Sequence, residues 1–89
     1  MSKSDYDILL CLDEIGAKNY FTSAKIDEIA EKINATTITT RRRVVKLMKE
    51  SYLEEGAKSG RAYTYFLTDK GLQFVSEWKH DLQPKRKNV

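Results

Sequence analysis

Residues 36–50 read TTITTRRRVVKLMKE. At 100° per residue, Thr40, Val44, Leu47 and Met48 share one side of a helix, and Ile38, Arg41, Arg42, Val45 and Lys49 fall on the other. One side is apolar enough to bury; the other is largely basic. The threonines of the first turn bring hydroxyls that can cap orphan amides or donate to a phosphate, with Thr36 as the expected cap. No acid interrupts the run until Glu50. An apolar stripe, a basic stripe and a hydroxyl-rich start are what a helix lying in the major groove of DNA requires.

Upstream, Ile26, Ile29, Ala30 and Ile33 recur at i, i+3, i+4 and i+7, which predicts a helix with Ser23 as its cap. Glu28 and Lys32 stand four apart in the order that supports a helix by a few tenths of a kcal/mol, roughly. Only Asn34, Ala35 and Thr36 separate this helix from the next. So short a connection forces a tight angle, the arrangement of a helix-turn-helix with its second helix presented outward. Further upstream, Ile8, Cys11, Leu12 and Ile15 predict a core helix capped by Ser4 and stopped at Gly16. Residues 17–22 are too short for a helix and read as a brief extended segment. Cys11 lies on the apolar side of its helix, where a buried small hydrophobe is the expected role.

Downstream, the period changes from 3.6 to 2. Residues 52–57 and 61–67 read as two strands joined by Lys58, Ser59 and Gly60, a hairpin in which Tyr63, Tyr65 and Leu67 alternate with Ala62, Thr64 and Phe66. Its tip, within residues 57–62, carries Lys58, Ser59 and Arg61. Thr68 is placed to cap a last helix, and Pro84 ends it.

The run IDEIAEKINATTITTRRRVVKLMKESYLEEG resembles the helix-turn-helix of winged-helix transcription regulators, with Tyr52 and Leu53 as the apolar pair that closes the unit. FLTDKG is similar to the strand-to-helix junction of the MarR and PadR families. The resemblance spans roughly residues 23–72 and implies a mainly helical α+β fold: a three-helix core, a β-hairpin wing and a C-terminal helix. It also implies sequence-specific binding of double-stranded DNA by a small transcriptional regulator, a repressor by analogy. Two departures stand out. The acid that usually precedes the wing arginine in MarR proteins is missing before Arg61. The long extra helices that build the MarR dimer and ligand pocket are missing too, so the resemblance does not carry over binding of a small-molecule effector.

Within that frame, Arg41 and Arg42 are the first candidates for DNA contact, because a guanidinium fork matches both the acceptor pair of guanine and phosphate oxygens. Arg43 points more to the side and is assigned to the backbone. Thr36, Thr37 and Thr39 are candidates for phosphates or thymine methyls, and Lys46 and Lys49 for the groove flanks. Ile38 and Val45 are unusual on a solvated face; they either touch thymine methyls or pack inward on a rotated helix. Lys58, Ser59 and Arg61 are assigned to the sugar-phosphate backbone or the minor groove.

In the last helix Leu72, Phe74, Val75, Trp78 and Leu82 cover more than the roughly 100° of one core-facing stripe. A homodimer through this helix is the expectation, since two-fold dimers read two half-sites. The alternative is that Phe74 or Trp78 folds back over the hairpin tyrosines.

Charge is divided along the chain. The 89 residues carry a net +3, which splits into −3 over residues 1–35 (four Lys, seven acids) and +6 over 36–89 (twelve Lys or Arg, six acids). The basic half starts at the presented helix, as a nucleic-acid face on one side of the molecule requires. Residues 1–83 read as one domain and 84–89, with Lys85, Arg86 and Lys87, as a flexible basic tail.

No apolar run approaches the roughly 20 residues of a membrane span, and MSKSDYD is not a signal peptide, so a cytoplasmic location is expected. A single Cys and a single His, His80, supply neither a redox pair nor a zinc triad. No Gly-rich phosphate loop or spaced metal ligands occur, so neither an enzyme nor a cofactor is expected. The competing function is a winged-helix protein-interaction module within a larger complex, in which the arginines would meet an acidic protein surface.

Overall fold

The computed structural model describes residues 3–58 and 60–82, and of 79–82 the backbone path. The expectations for Ser59, for the Leu82 and His80 side chains and for the basic tail lie outside the described residues.

Three helices build the core: α1 (Lys3–Glu14), α2 (Ile26–Ile33) and α3 (Thr37–Lys49). From them Ile8, Leu9 and Leu12, Ile29, and Val44 and Leu47 converge, each at most 1% exposed. Helix α1 starts at Lys3, so Ser4 lies inside it rather than capping it. Its end follows the sequence. Gly16 adopts φ +81°, a left-handed conformation that costs glycine little, and the Ala17 amide then bonds back to the Leu12 carbonyl at 2.8 Å.

Residues 17–22 are not extended. Tyr20–Thr22 form a 3-10 turn, fixed by Asn19, whose side-chain oxygen accepts from the Phe21 and Thr22 amides. The extended piece comes later, as β1 (Ala24–Lys25). Helix α2 therefore begins at Ile26, and Ser23 does not cap it. Glu28 reaches back to accept from the Lys25 amide at 2.9 Å, the reciprocal half of a capping box, and makes no ion pair with Lys32 among the described residues. Ser23 donates instead to the Tyr20 carbonyl and to the Thr64 hydroxyl.

The hairpin strands are shorter than alternation predicts: β2 (Leu53–Glu55) and β3 (Thr64–Leu67). With β1 they form a three-stranded antiparallel sheet of order β1-β3-β2, in which Tyr65 faces Ala24 on one side and Glu55 on the other. The central place of β3 explains why Thr64, Tyr65 and Leu67 are all buried, although alternation assigns them to two faces. The Thr64 hydroxyl is satisfied by Ser23 and by the Ala57 carbonyl.

Helix α4 (Asp69–Leu82) is capped as expected: Thr68 accepts from the Gly71 amide at 3.1 Å and donates to the Ser51 and Tyr52 carbonyls. Val75 enters the core. Phe74 packs on Tyr52 with ring centroids 5.4 Å apart, and Trp78 stacks on Tyr6 at 4.0 Å. The fold-back that stood as the alternative is thus made within the chain, on α1 as well as on the hairpin. No helix among the described residues is long and apolar enough to cross a membrane.

Candidate nucleic-acid interface

The turn between α2 and α3 closes on Asn34, which adopts φ 59°, ψ 50°. This left-handed conformation is one that Asn tolerates better than most residues. The amides of Asn34 and Ala35 bond to Glu31 and Ala30 carbonyls, which closes the turn from which α3 departs. Thr36 caps α3, its hydroxyl accepting from the Thr39 amide at 3.2 Å. Thr40 is wholly buried and donates to the Thr36 carbonyl at 2.8 Å. Thr40 is therefore purely structural, and Thr36, Thr37 and Thr39 are exposed.

Thr40, Val44 and Leu47 turn inward, as the periodicity requires, and Arg41, Arg42 and Lys49 outward. Ile38 is 67% and Val45 40% exposed. The helix is thus not rotated, and both residues belong to the presented face.

An open groove runs along the N-terminal half of α3. Thr37, Ile38, Arg41 and Arg42 form one wall; Arg61, Ala62 and Tyr63 of the hairpin form the other, and Lys25, Ile26 and Asp27 close its end. Arg41 and Arg42 form no ion pair with any described residue. Tyr65 lies under this wall. Burial pushes its phenol above the ordinary tyrosine range, and the Arg41 charge opposes the shift. At the hairpin tip the Lys58 ammonium stands 4.6 Å over the Tyr63 ring, a cation–π contact that keeps this cation beside the groove.

The remaining cations of α3 are engaged differently. Arg43 Nη1 is 3.5 Å and Lys46 Nζ 3.0 Å from the carboxylate of Asp5, which is buried in α1. Lys49 forms no ion pair among the described residues.

Lys25, Asp27 and Tyr63 are among the groove residues that are not candidates in the sequence. A helix starting after Ser23 puts Lys25 on its water-facing side; the Lys-Ile-Asp-Glu order, with an acid three residues after Lys25, is the signal that places it at the cap. Tyr63 precedes strand β3 and is 43% exposed. Asp27 adds an acid at the groove's end. No cluster of metal-ligating side chains occurs among the described residues. Of the residues assigned to a dimer, Val75 is buried, and Leu72, Phe74 and Trp78 are half-buried within the chain.

A helix-turn-helix followed by a hairpin that flanks the presented helix, with a last helix packed across α1, matches solved structures along nearly the whole chain. TubR from Bacillus megaterium pBM400 superposes with a TM-score of 0.80 at 25% identity, over 90% of this chain and 88% of that one. The fold is a winged helix-turn-helix. MepR, a transcription regulator of the Staphylococcus aureus multidrug efflux pump MepA, shares this winged helix with a TM-score of 0.80 at 15% identity, over 91% of this chain and 57% of MepR. In sequence, the chain is similar to the DNA-binding protein TubR of the Clostridium botulinum C phage, 26% identical over 73 residues, which are 82% of this chain and 90% of that protein. No protein-family model matches the sequence.

Proposed function

We propose that this winged helix binds double-stranded DNA sequence-specifically as a small transcriptional regulator, a repressor by analogy. Helix α3 lies in the major groove, and the wing at residues 57–62 lies on the neighbouring backbone or in the minor groove. The observation that carries the reading is the groove in which Arg41 and Arg42, free of ion pairs among the described residues, face Arg61 across a gap closed by Lys25. Guanidinium groups free of protein carboxylates and grouped around one concavity are suited to base edges and phosphates. The similarity to a protein named for DNA binding supports the same reading.

In this reading Arg41 and Arg42 take base or phosphate contacts, and Thr37 and Thr39 donate to phosphates at the helix start. Ile38 and Val45 meet thymine methyls; Lys49, Lys58 and Arg61 hold the backbone. The protein acts in the cytoplasm, without enzymatic activity, as a two-fold dimer. With Val75 spent on the core, α4 brings the half-buried edges of Leu72, Phe74 and Trp78 to that dimer.

Selection of bound duplexes from a random pool at about physiological salt, repeated with Arg41→Ala/Arg42→Ala, tests the proposal. The expected result is a palindrome with half-sites about one helical turn apart, lost in the double variant. A pool that stays unenriched with folded protein overturns it.

A further inference from the structure

Asp5 is the one acidic side chain among the described residues that is completely buried. It sits in the first turn of α1, and its two oxygens are directed at Arg43 and Lys46 of α3. One oxygen lies 3.5 Å from Arg43 Nη1, and the other accepts a hydrogen bond from Lys46 Nζ at 3.0 Å. Arg43 and Lys46 are three residues apart and share one side of α3, the side facing α1, while Arg41 and Arg42 leave from the side that lines the groove.

Resting on the DNA-binding reading, we infer that Asp5 is a positioning residue that withdraws Arg43 and Lys46 from phosphate contact and leaves base reading to the Arg41–Arg42 half of α3. The physical reason is the cost of the alternative. For either cation to move to a phosphate it must leave a carboxylate that is buried in α1, and weakening the compensation of a buried charge is unfavourable. The pair on Asp5 thus outlasts docking. Of the five cations on α3, two stay on the protein, and α3 is pinned to α1 beside its presented face. Since phosphate contacts supply non-specific affinity and carry no sequence information, the device lowers binding to arbitrary DNA while sparing the reading residues.

Salt titration of binding to a duplex of arbitrary sequence tests this, because each phosphate neutralised contributes about 0.9 to the slope of log K against log salt. Asp5→Asn keeps the size of the side chain and one acceptor oxygen but removes the charge that holds the two cations. Its slope is expected to steepen by about 1 to 2, with several-fold tighter non-specific binding near 0.1 M salt. A role confined to stability would weaken binding without steepening the slope. An unchanged or shallower slope in Asp5→Asn that is folded by circular dichroism overturns the inference. Lys46→Gln in the parent gives an independent reading that does not depend on how Asp5→Asn folds. An unchanged slope supports the inference, and a slope shallower by about 0.9 makes Lys46 a phosphate ligand and overturns it. If the parent itself shows no salt-dependent duplex binding, the DNA-binding reading is overturned and this inference with it.

Discussion

The ring of Tyr6 lies 4.0 Å from that of Trp78, their planes inclined by 28°, so the first and last helices share one aromatic stack. Phe74 meets Trp78 edge-on at 5.3 Å and continues the row to Tyr52. Four aromatic residues from three parts of the chain thus tie α4 to α1 and to the residue that precedes β2. Rings in such offset and edge-on pairs contribute about 0.5–1.5 kcal/mol beyond their buried area. Trp78→Ala is expected to lower the free energy of unfolding by about 3 kcal/mol, measured by urea denaturation followed by circular dichroism, and Trp78→Phe to recover much of the loss. A loss below about 0.5 kcal/mol in Trp78→Ala would mean that the stack carries little of the fold.

The two walls of the groove differ in what they cost when cut. Arg42→Ala is expected to weaken binding to the selected site by about 1–3 kcal/mol with a smaller effect on arbitrary duplex. Arg61→Ala is expected to weaken both alike and to make the salt slope shallower by about 0.9. Fluorescence anisotropy with a labelled duplex at several salt concentrations separates these patterns, and equal behaviour of the two variants would contradict the division of roles.

Helix α3 ends on a non-glycine residue in the left-handed region. Ser51 adopts φ 70° while its amide bonds to the Met48 carbonyl and that of Tyr52 to the Leu47 carbonyl, the pattern that usually carries glycine. The left-handed conformation costs an L-residue roughly 1–2 kcal/mol, partly offset by the unfolded-state entropy that glycine adds. Ser51→Gly is therefore expected to stabilise the protein by about 0.5–1 kcal/mol in thermal or urea unfolding. Destabilisation would show that the serine side chain contributes something its backbone geometry does not reveal.

Burial raises the pKa of Cys11, with Lys32 opposing the shift and Glu14 and Glu28 adding to it. An unfolded thiol titrates near 8.5. Above that pH the unfolded chain loses this proton before the folded one, so the contribution to stability is complete below about 8.5 and is lost as pH rises toward the folded value. Tyr65, raised by burial in the same sense, extends the decline above about pH 10. Urea denaturation between pH 7 and 10 should show falling stability, and Cys11→Ala should flatten the part that begins near 8.5. The native thiol should also resist alkylation at pH 7.5 until denaturant is added.

The parts that were legible in the sequence are those set by neighbours in the chain. The bounds and inward face of α3, its Thr36 cap, the short turn before it and the Thr68 cap of α4 all follow from spacing and local hydrogen bonding. What escaped depends on partners far along the chain. Strand β1 is two residues long and exists only through pairing with β3, so no periodicity announces it, and the Ser23 cap was assigned in its place. The surplus of apolar surface on α4 was visible, but its partner Tyr6 stands on a helix whose orientation no local pattern fixes. The basic run was legible as charge; its division between the groove and Asp5 was not, because that depends on how α1 crosses α3.

The strand order β1-β3-β2 also sets a timetable. Strand β3 lies between the other two and is the last of the three to be synthesised, and until it arrives β1 and β2 have nothing to pair with. Pairing of β1 with β3 spans about forty residues and forms later than the local β2–β3 hairpin, since the longer loop must be closed before pairing rewards it. A growing chain therefore carries its arginine-rich helix before it has the flank that turns that helix into one wall of a groove. The concavity in which Arg41 and Arg61 face each other is a product of the final closure.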